Sequence, residues 1–426
     1  MLSKIKNILN LGKSVSNFLY QQIAFDKLSK LKAGILFMSM GTGKTKVAMD
    51  LALSKQSDFD CIIWIAPASL IKSESYIAEI NKWSGDLIKP IHYFTIEGVG
   101  SSDNKYLEMI SLATNKSSFC IVDESITIKN LIAKRTKRLL QNWHLFKFRL
   151  ILNGTPITNS LLDLYSQIEF IHPKILSMTE RQFANNFLIY KKESYRSYAK
   201  GNKPYNEEAL IEIIKPYICD AELEINCGLN FTDFDCQLNE IEQDEYSILK
   251  RNIYETMDDD FDFLAISQKL QHFYTENCAD KRIKFDNLIK EIVKNQQVII
   301  YVKYVSELDF LKENYDCVEY SGRCKDGIEL FKNGAKILIS TYGSGSMGHN
   351  LQFCHNIIYL SQTFDYKDKE QSLHRIYRVG QTKPCNIYNF YIKTGLEKII
   401  KTNLNKKVNI LTVIKDHITK DNLKNL

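Results

Sequence analysis

Arginine is scarce in this chain. Of 56 basic residues in 426, only 10 are Arg and the rest are Lys. No apolar run approaches the roughly 18 residues that a membrane helix needs. The longest, Cys61–Ile71, has 11 residues and is interrupted by Pro67, so no membrane partner is expected. Met1–Asn10 interleaves Lys4 and Lys6 with apolar residues, which is not the pattern of a secretory leader. None of the 10 cysteines stands at CxxC spacing from another, so neither a zinc ribbon nor a disulfide framework is indicated. A reducing, intracellular compartment is expected: cytoplasm or nucleoid, or a host cytoplasm if the source is viral. The trio Cys219, Cys227 and Cys236 reads as buried thiols rather than a metal site.

What is present is ordinary for a folded protein of two or three domains: 44% hydrophobic and 25% charged residues. The net charge of +6 is unevenly placed. Residues 1–32 carry six Lys against one Asp, residues 398–426 seven Lys against two Asp, and residues 233–262 eleven acids against two bases. Basic ends around an acidic middle allow a polyanionic partner.

Apolar runs at Gly34–Met38, Cys61–Ala66, Phe119–Val122 and Phe148–Leu152 alternate with helical patterns, the signature of a parallel sheet covered on both faces. Residues 173–280 are charged and aromatic, with helical periodicity in Tyr246–Met257 and Phe261–Tyr274. Strand-like runs return at Gln297–Val302, Lys336–Ser340, Asn356–Ser361 and Asn386–Ile392. The expected class is α/β, with two similar parallel-sheet halves around a helical insert: 1–172, 173–280, 281–408 and a tail over 409–426. Phe183, Phe187, Tyr190, Tyr195 and Tyr198 are expected to pack helices, with base stacking as the rival role.

After the first run comes Met38-Ser39-Met40-Gly41-Thr42-Gly43-Lys44-Thr45, then a helix. Glycines at 41 and 43 let the backbone N–H groups of Met40, Gly41, Thr42 and Gly43 converge on one point, and the helix N-terminus adds its dipole. Lys44 can reach the β- and γ-phosphates of ATP, and the Thr45 hydroxyl can hold Mg²⁺. Met38 stands where the usual pattern has its first glycine. Asp123 and Glu124 follow the strand Phe119–Val122. At a strand's C-terminal end they lie where such sheets bind ligands. Asp123 is the candidate Mg²⁺ carboxylate, and Glu124 the group that orients and polarises attacking water.

These residues resemble the motors of helicase superfamily two, specifically the Swi/Snf-type double-stranded DNA translocases, from about Leu19 to Ile400. Tyr20-Gln21 is similar to the upstream glutamine motif, and the resemblance gives Gln21 an adenine-reading role. Ile65–Leu70 followed by Trp83 is similar to motif Ia, which places Pro67 and Ser69 at a nucleic-acid backbone. Asp123-Glu124-Ser125-Ile126 with Ile128-Lys129-Asn130 resembles the DEAH box, although relatives usually carry Ala and His where Ser125 and Ile126 stand. In relatives that histidine links the ATP site to motif III. Leu152–Asn159 is similar to motif III, where Gly154 and Thr155 couple ATP to the track. Ile299–Tyr304 resembles motif IV. Ser340 and Thr341, with Gly343, Gly345, Gly348, Asn350 and Leu351, resemble motif V. Gln371 through Arg375, Arg378 and Gln381 resemble motif VI. The Arg-Arg signature of the family is absent after Pro216-Tyr217-Ile218.

Arg375 and Arg378 are three apart, which places them on one face of a helix. Two of so few arginines at this spacing point to a need for a planar, permanently charged fork, as against a γ-phosphate. The glycines of Thr341–Gly348 suit a loop that approaches a phosphodiester backbone closely. The resemblance thus implies two RecA-like lobes, ATP and Mg²⁺ as cofactors, and catalytic roles for Lys44, Asp123, Glu124, Arg375 and Arg378. It implies a nucleic-acid partner, most readily double-stranded DNA, and leaves any replication or recombination partner unnamed. The rivals are a strand-separating DNA or RNA helicase and a non-catalytic nucleic-acid clamp.

Overall fold

The computed structural model describes residues 19–405 apart from 40, 155, 158–160, 194–195, 203, 222–226, 256–262, 346–350 and 379. Met40, Thr155, Gly348, Asn350 and the expected tail lie outside the described residues. The chain divides into two compact units, 1–224 and 225–426.

The first unit is built on a six-stranded parallel sheet. Its strands are β1 (Ala33–Met38), β2 (Cys61–Ala66), β3 (Ile91–Thr95), β4 (Ser118–Asp123), β5 (Phe148–Asn153) and β8 (Ile218–Ala221). They lie in the order β3-β2-β4-β5-β1-β8. Every residue of β2, β4 and β5 is buried, because interior parallel strands are covered on both faces. Side chains of successive residues enter opposite layers. Ile35, Ile63, Val122 and Ile151 belong to one core, and Leu36, Trp64, Ile121 and Leu152 to the other. Each such side chain contributes about 1.5–3 kcal/mol when fully buried.

The second unit repeats the plan with β9 (Leu229–Cys236), β10 (Val298–Val302), β11 (Val318–Tyr320), β12 (Ile337–Thr341), β13 (Asn356–Tyr359) and β14 (Cys385–Ile392). The order is β11-β12-β10-β13-β14-β9, again all parallel. The two parallel-sheet halves are those expected from the apolar runs. The helix Phe263–Asn277 is tied to this sheet by polar groups: Gln271 Oε1 accepts from Lys303 Nζ and from the Tyr304 hydroxyl, both at 2.7 Å. Glu307, 1% exposed, accepts from the Lys303 and Tyr304 amides and from Ser361 Oγ. Burial pushes the Lys303 amine down to about 7.

The stretch 173–280 does carry helices, at Glu180–Phe187, Pro204–Ile214, Glu240–Glu255 and Phe263–Asn277. It also supplies strands that the apolar runs do not announce. β8 pairs with β1 and so completes the first sheet. β9 pairs with β14 over eight residues and completes the second. Between the first two helices lies an antiparallel hairpin, β6 (Leu188–Glu193) and β7 (Arg196–Asn202). Phe183 and Phe187 are buried against each other and Tyr165, as helix-packing residues. Tyr190 and Tyr198 fall in the hairpin strands instead of a helix, and Tyr195 is outside the described residues. Cys219 in β8 and Cys236 in β9 are buried thiols in separate sheets.

Candidate nucleotide site

The phosphate loop leaves β1 at Met38 and ends in the helix Lys44–Ser54. Gly41 and Gly43 both lie in the left-handed region, at φ 77° and 81°. A side chain at either position would be strained, which is the physical reason for two glycines there. A Cβ on Gly43 would also run into the Gln21 side-chain amide. Gln21 Nε2 donates to the Thr42 carbonyl at 2.9 Å, so Gln21 braces the loop from the preceding helix Leu19–Leu28. Thr42 is fully buried and its hydroxyl donates to the Ser39 carbonyl at 2.6 Å. Gly43 caps the helix without any side-chain hydrogen bond. The first-turn N–H groups thus face the loop with no cap of their own, a ready place for an anion.

Lys44 Nζ folds back onto the Met38 and Ser39 carbonyls at 2.8 and 3.1 Å. Burial lowers its basicity, while the charges of Asp123 and Glu124 act in the opposite direction. Asp123 ends β4, one strand beyond β5 from the loop. Its carboxyl is pushed up by burial and by Glu124, opposed by the Tyr76 hydrogen bond and by Lys44. Tyr76 donates to Asp123 Oδ2, Glu124 N donates to Oδ1 at 2.8 Å, and Trp64 Nε1 donates to the Tyr76 hydroxyl at 3.0 Å. Trp64 is core, as its place in an apolar run implies, but it also anchors this chain of bonds.

Glu124 has φ 52° and ψ 50°, a left-handed conformation that costs a non-glycine residue about 1–2 kcal/mol. Such strain concentrates at functional sites. It turns the chain sharply from β4 into the short 3₁₀ turn Ser125–Ile128. Thr45, half-buried, sits in the first turn of the helix. Lys44, Thr45, Asp123 and Glu124 are therefore brought to one end of the first sheet. The donor set fits Mg²⁺: a hydroxyl and a buried carboxylate whose ionised form lacks compensation enough to hold its ordinary acidity.

Pro67 caps the short helix Ala68–Ile71 after β2, and Ser69 is half-buried within it. Gly154 is half-buried immediately after β5. In the second unit Thr341 is half-buried at the end of β12. Ser340 is different: it is 1% exposed, and its hydroxyl donates to the Tyr320 carbonyl at 2.7 Å. That side chain serves its own sheet, and it is buried rather than presented at the surface.

Gln371 lies on the helix Tyr366–Leu373, half-buried. The arginine pair does not share a helix face, contrary to expectation. The helix closes at Leu373 and irregular turns follow, with Arg375 N on the Ser372 carbonyl and both Ile376 N and Tyr377 N on that of Leu373. The Arg375 carbonyl receives the Leu351 N–H at 3.1 Å, which takes that carbonyl away from a helical partner. Arg375 is 5% exposed beside Tyr301 and Tyr320, whereas Arg378 is half-buried. Gln381 Nε2 staples the loop to the Gln352, Cys354 and Ile376 carbonyls.

Sequence reasoning missed Tyr76, because a tyrosine at an amphipathic helix position carries no signal beyond core. It also missed the buried Gln167, whose helix reads as apolar.

The SNF2-related domain matches residues 95–297, and the helicase conserved C-terminal domain matches residues 280–382. An uncharacterized ATP-dependent helicase of Mycoplasma pneumoniae is 26% identical over 414 residues, covering 86% of this chain and 38% of that protein. The chain thus spans about two fifths of that relative's length. A RAD54-like DNA repair and recombination protein of Drosophila mojavensis is 22% identical, covering 96% of this chain and 64% of that one. The Sulfolobus solfataricus SWI2/SNF2 ATPase core in complex with double-stranded DNA is 19% identical, with a TM-score of 0.41 over 95% of this chain and 93% of that one. Among the described residues no helix is long and apolar enough to cross a membrane. The two matches together span residues 95–382, which gives the chain the SNF2-related and helicase C-terminal domains of a helicase-type ATPase.

Proposed function

We propose that this chain hydrolyses ATP with Mg²⁺ and uses the cycle to move along or remodel double-stranded DNA. The observation that carries the reading is the phosphate cradle: two left-handed glycines, an uncapped helix N-terminus and Lys44, facing Asp123 and strained Glu124. Lys44 and the loop amides hold the β- and γ-phosphates. Thr45 and Asp123 would hold Mg²⁺, which supplies charge neutralisation at those phosphates when bound. Glu124 orients the attacking water and draws on its proton. A surface hollow between the helices Leu19–Leu28 and Lys44–Ser54 is lined by Gln21, Phe25, Lys46 and Asp50 and offers a place for the base. Arg378 is the candidate arginine finger for the γ-phosphate during turnover.

The track is gripped by Pro67, Ser69, Gly154, Thr155, Thr341, Gly348, Asn350 and Gln371, mainly through phosphates, so sequence preference is weak. The RAD54-like relative's description as a DNA repair and recombination protein supports DNA as the track. The test compares ATP turnover with duplex DNA, single-stranded DNA and RNA. Stimulation by duplex DNA of any sequence supports the reading. Stimulation by single-stranded RNA alone replaces it with an RNA motor.

One observation favours a second reading, strand separation. The hairpin β6–β7 carries Lys191, Lys192, Arg196 and Lys200, and an inserted hairpin has a shape suited to wedging a duplex open. Unwinding of a forked duplex, lost when the hairpin is shortened, is the outcome that would establish it.

A further inference from the structure

The usual histidine that ties the ATP site to motif III is replaced here by Ile126, which is buried at 6% exposure. The helix Leu162–Ile171 offers another tie. Asp163, Ser166 and Gln167 stand at i, i+3 and i+4, on one face, and all three are buried. That face brackets the turn after Glu124. Ser166 Oγ donates to the Ile128 carbonyl at 2.7 Å, and Lys129 Nζ lies 3.9 Å from Asp163 Oδ2.

Gln167 does more than its neighbours. Its Oε1 accepts from Ser125 Oγ at 2.7 Å and from Asn153 Nδ2 at 3.3 Å. Its Nε2 donates to the Pro156 carbonyl at 2.9 Å and to the Asp163 carbonyl at 2.6 Å. Two donors and two acceptor positions of the amide are therefore all engaged. A fully buried amide is costly unless satisfied in this way. Leucine would fill the same place on a helix whose Leu164, Ile168 and Ile171 are already core. One planar group thus binds the residue after Glu124 to both flanks of Gly154. The backbone of either segment cannot shift without breaking a bond on the same amide.

We infer that Gln167 is the positioning residue that couples the ATP site to motif III in this chain, with Ser125 as its contact on the ATP side. The inference rests on the DNA-stimulated ATPase reading given above. Gln167 touches neither nucleotide nor track; it transmits the position of one segment to the other.

The test uses the full chain with Gln167→Leu and Ser125→Ala. Three quantities are measured: the ratio of turnover with saturating duplex DNA to turnover without it, duplex affinity with a non-hydrolysable ATP analogue against ADP, and thermal melting. Both variants should lower the stimulation ratio by about 5-fold or more, the low end of ordinary coupling between sites. The difference in duplex affinity between the two nucleotide states should shrink with it. Ser125→Ala removes one hydroxyl and keeps the test decisive if Gln167→Leu fails to fold. A wild-type ratio and a wild-type affinity difference in Ser125→Ala overturn the inference. So does a fall in basal and stimulated turnover together with the ratio kept, which is the result of a packing role. If the wild-type chain itself shows no stimulation by duplex DNA, the proposed function fails instead, and the coupling inference falls with it.

Discussion

Tyr76 donates its hydroxyl hydrogen to Asp123 Oδ2 at 2.5 Å, and that bond fixes the carboxylate proposed to hold Mg²⁺. The tyrosine comes from the helix Glu74–Ser84, which follows the motif Ia segment at Pro67–Ser69. The residue proposed for Mg²⁺ is thereby held by an element that begins beside a proposed nucleic-acid grip.

Tyr76→Phe removes this donor from Asp123 and the acceptor from the buried Trp64 N–H. Leaving such groups unsatisfied costs about 1–3 kcal/mol. The denaturant midpoint should fall accordingly. The Tyr76 bond also opposes the upward push on the Asp123 carboxyl. Without it the acid limb of the pH–turnover profile should move to higher pH. An unmoved limb and midpoint would show that the bond is idle.

Asp123→Asn should abolish turnover while raising stability. Burial and Glu124 lift the folded carboxyl's pKa above its unfolded value. The folded chain therefore binds this proton more tightly than the unfolded chain, and the ionised carboxylate weighs against folding at neutral pH. Melting at pH 7 without nucleotide or Mg²⁺ should place Asp123→Asn at or above wild type. Its advantage should shrink as the pH falls from the raised value toward the ordinary carboxylate range. A variant that melts well below wild type at pH 7 would contradict this.

Gly43→Ala forces a Cβ into a left-handed position and against Gln21. The strain should lower stability by about 1–2 kcal/mol. Nucleotide binding, followed by a fluorescent ATP analogue, should fall far more than the fold does, because the brace from Gln21 to Thr42 is displaced. Binding at wild-type strength would remove the loop from the site.

The interior strands were legible because each is an apolar run buried on both faces, and their ends fall within one or two residues of the runs at Gly34–Met38 and Phe148–Leu152. The edge strands were not. β9 alternates weakly, with Asp233 and Asp235 in it and four consecutive exposed residues, so it lacks the doubly buried signal. The glycine pair and Lys44 were legible from local rules. Gln167 was not, since only tertiary packing shows which segments an amide bridges. Arginine scarcity marks less than expected. Arg149 donates to the Ile171 and Phe146 carbonyls, and Arg323 pairs with Glu319 and Asp309. The planar fork is used in this chain for structural bonds as well, so scarcity alone does not mark a phosphate ligand.

The central claim is the proposed role of Arg378 in ATP hydrolysis. Arg375 is the poorer probe, since its burial beside Tyr301 makes damage to the fold the expected result of replacing it. The direct measurement is single-turnover ATP hydrolysis by Arg378→Lys at saturating duplex DNA, with a nucleotide-binding titration alongside. Lysine keeps the charge but loses the fork, so turnover should fall by about 10³-fold or more while nucleotide binding persists. Hydrolysis at the wild-type rate in both Arg378→Lys and Arg378→Ala would contradict the account.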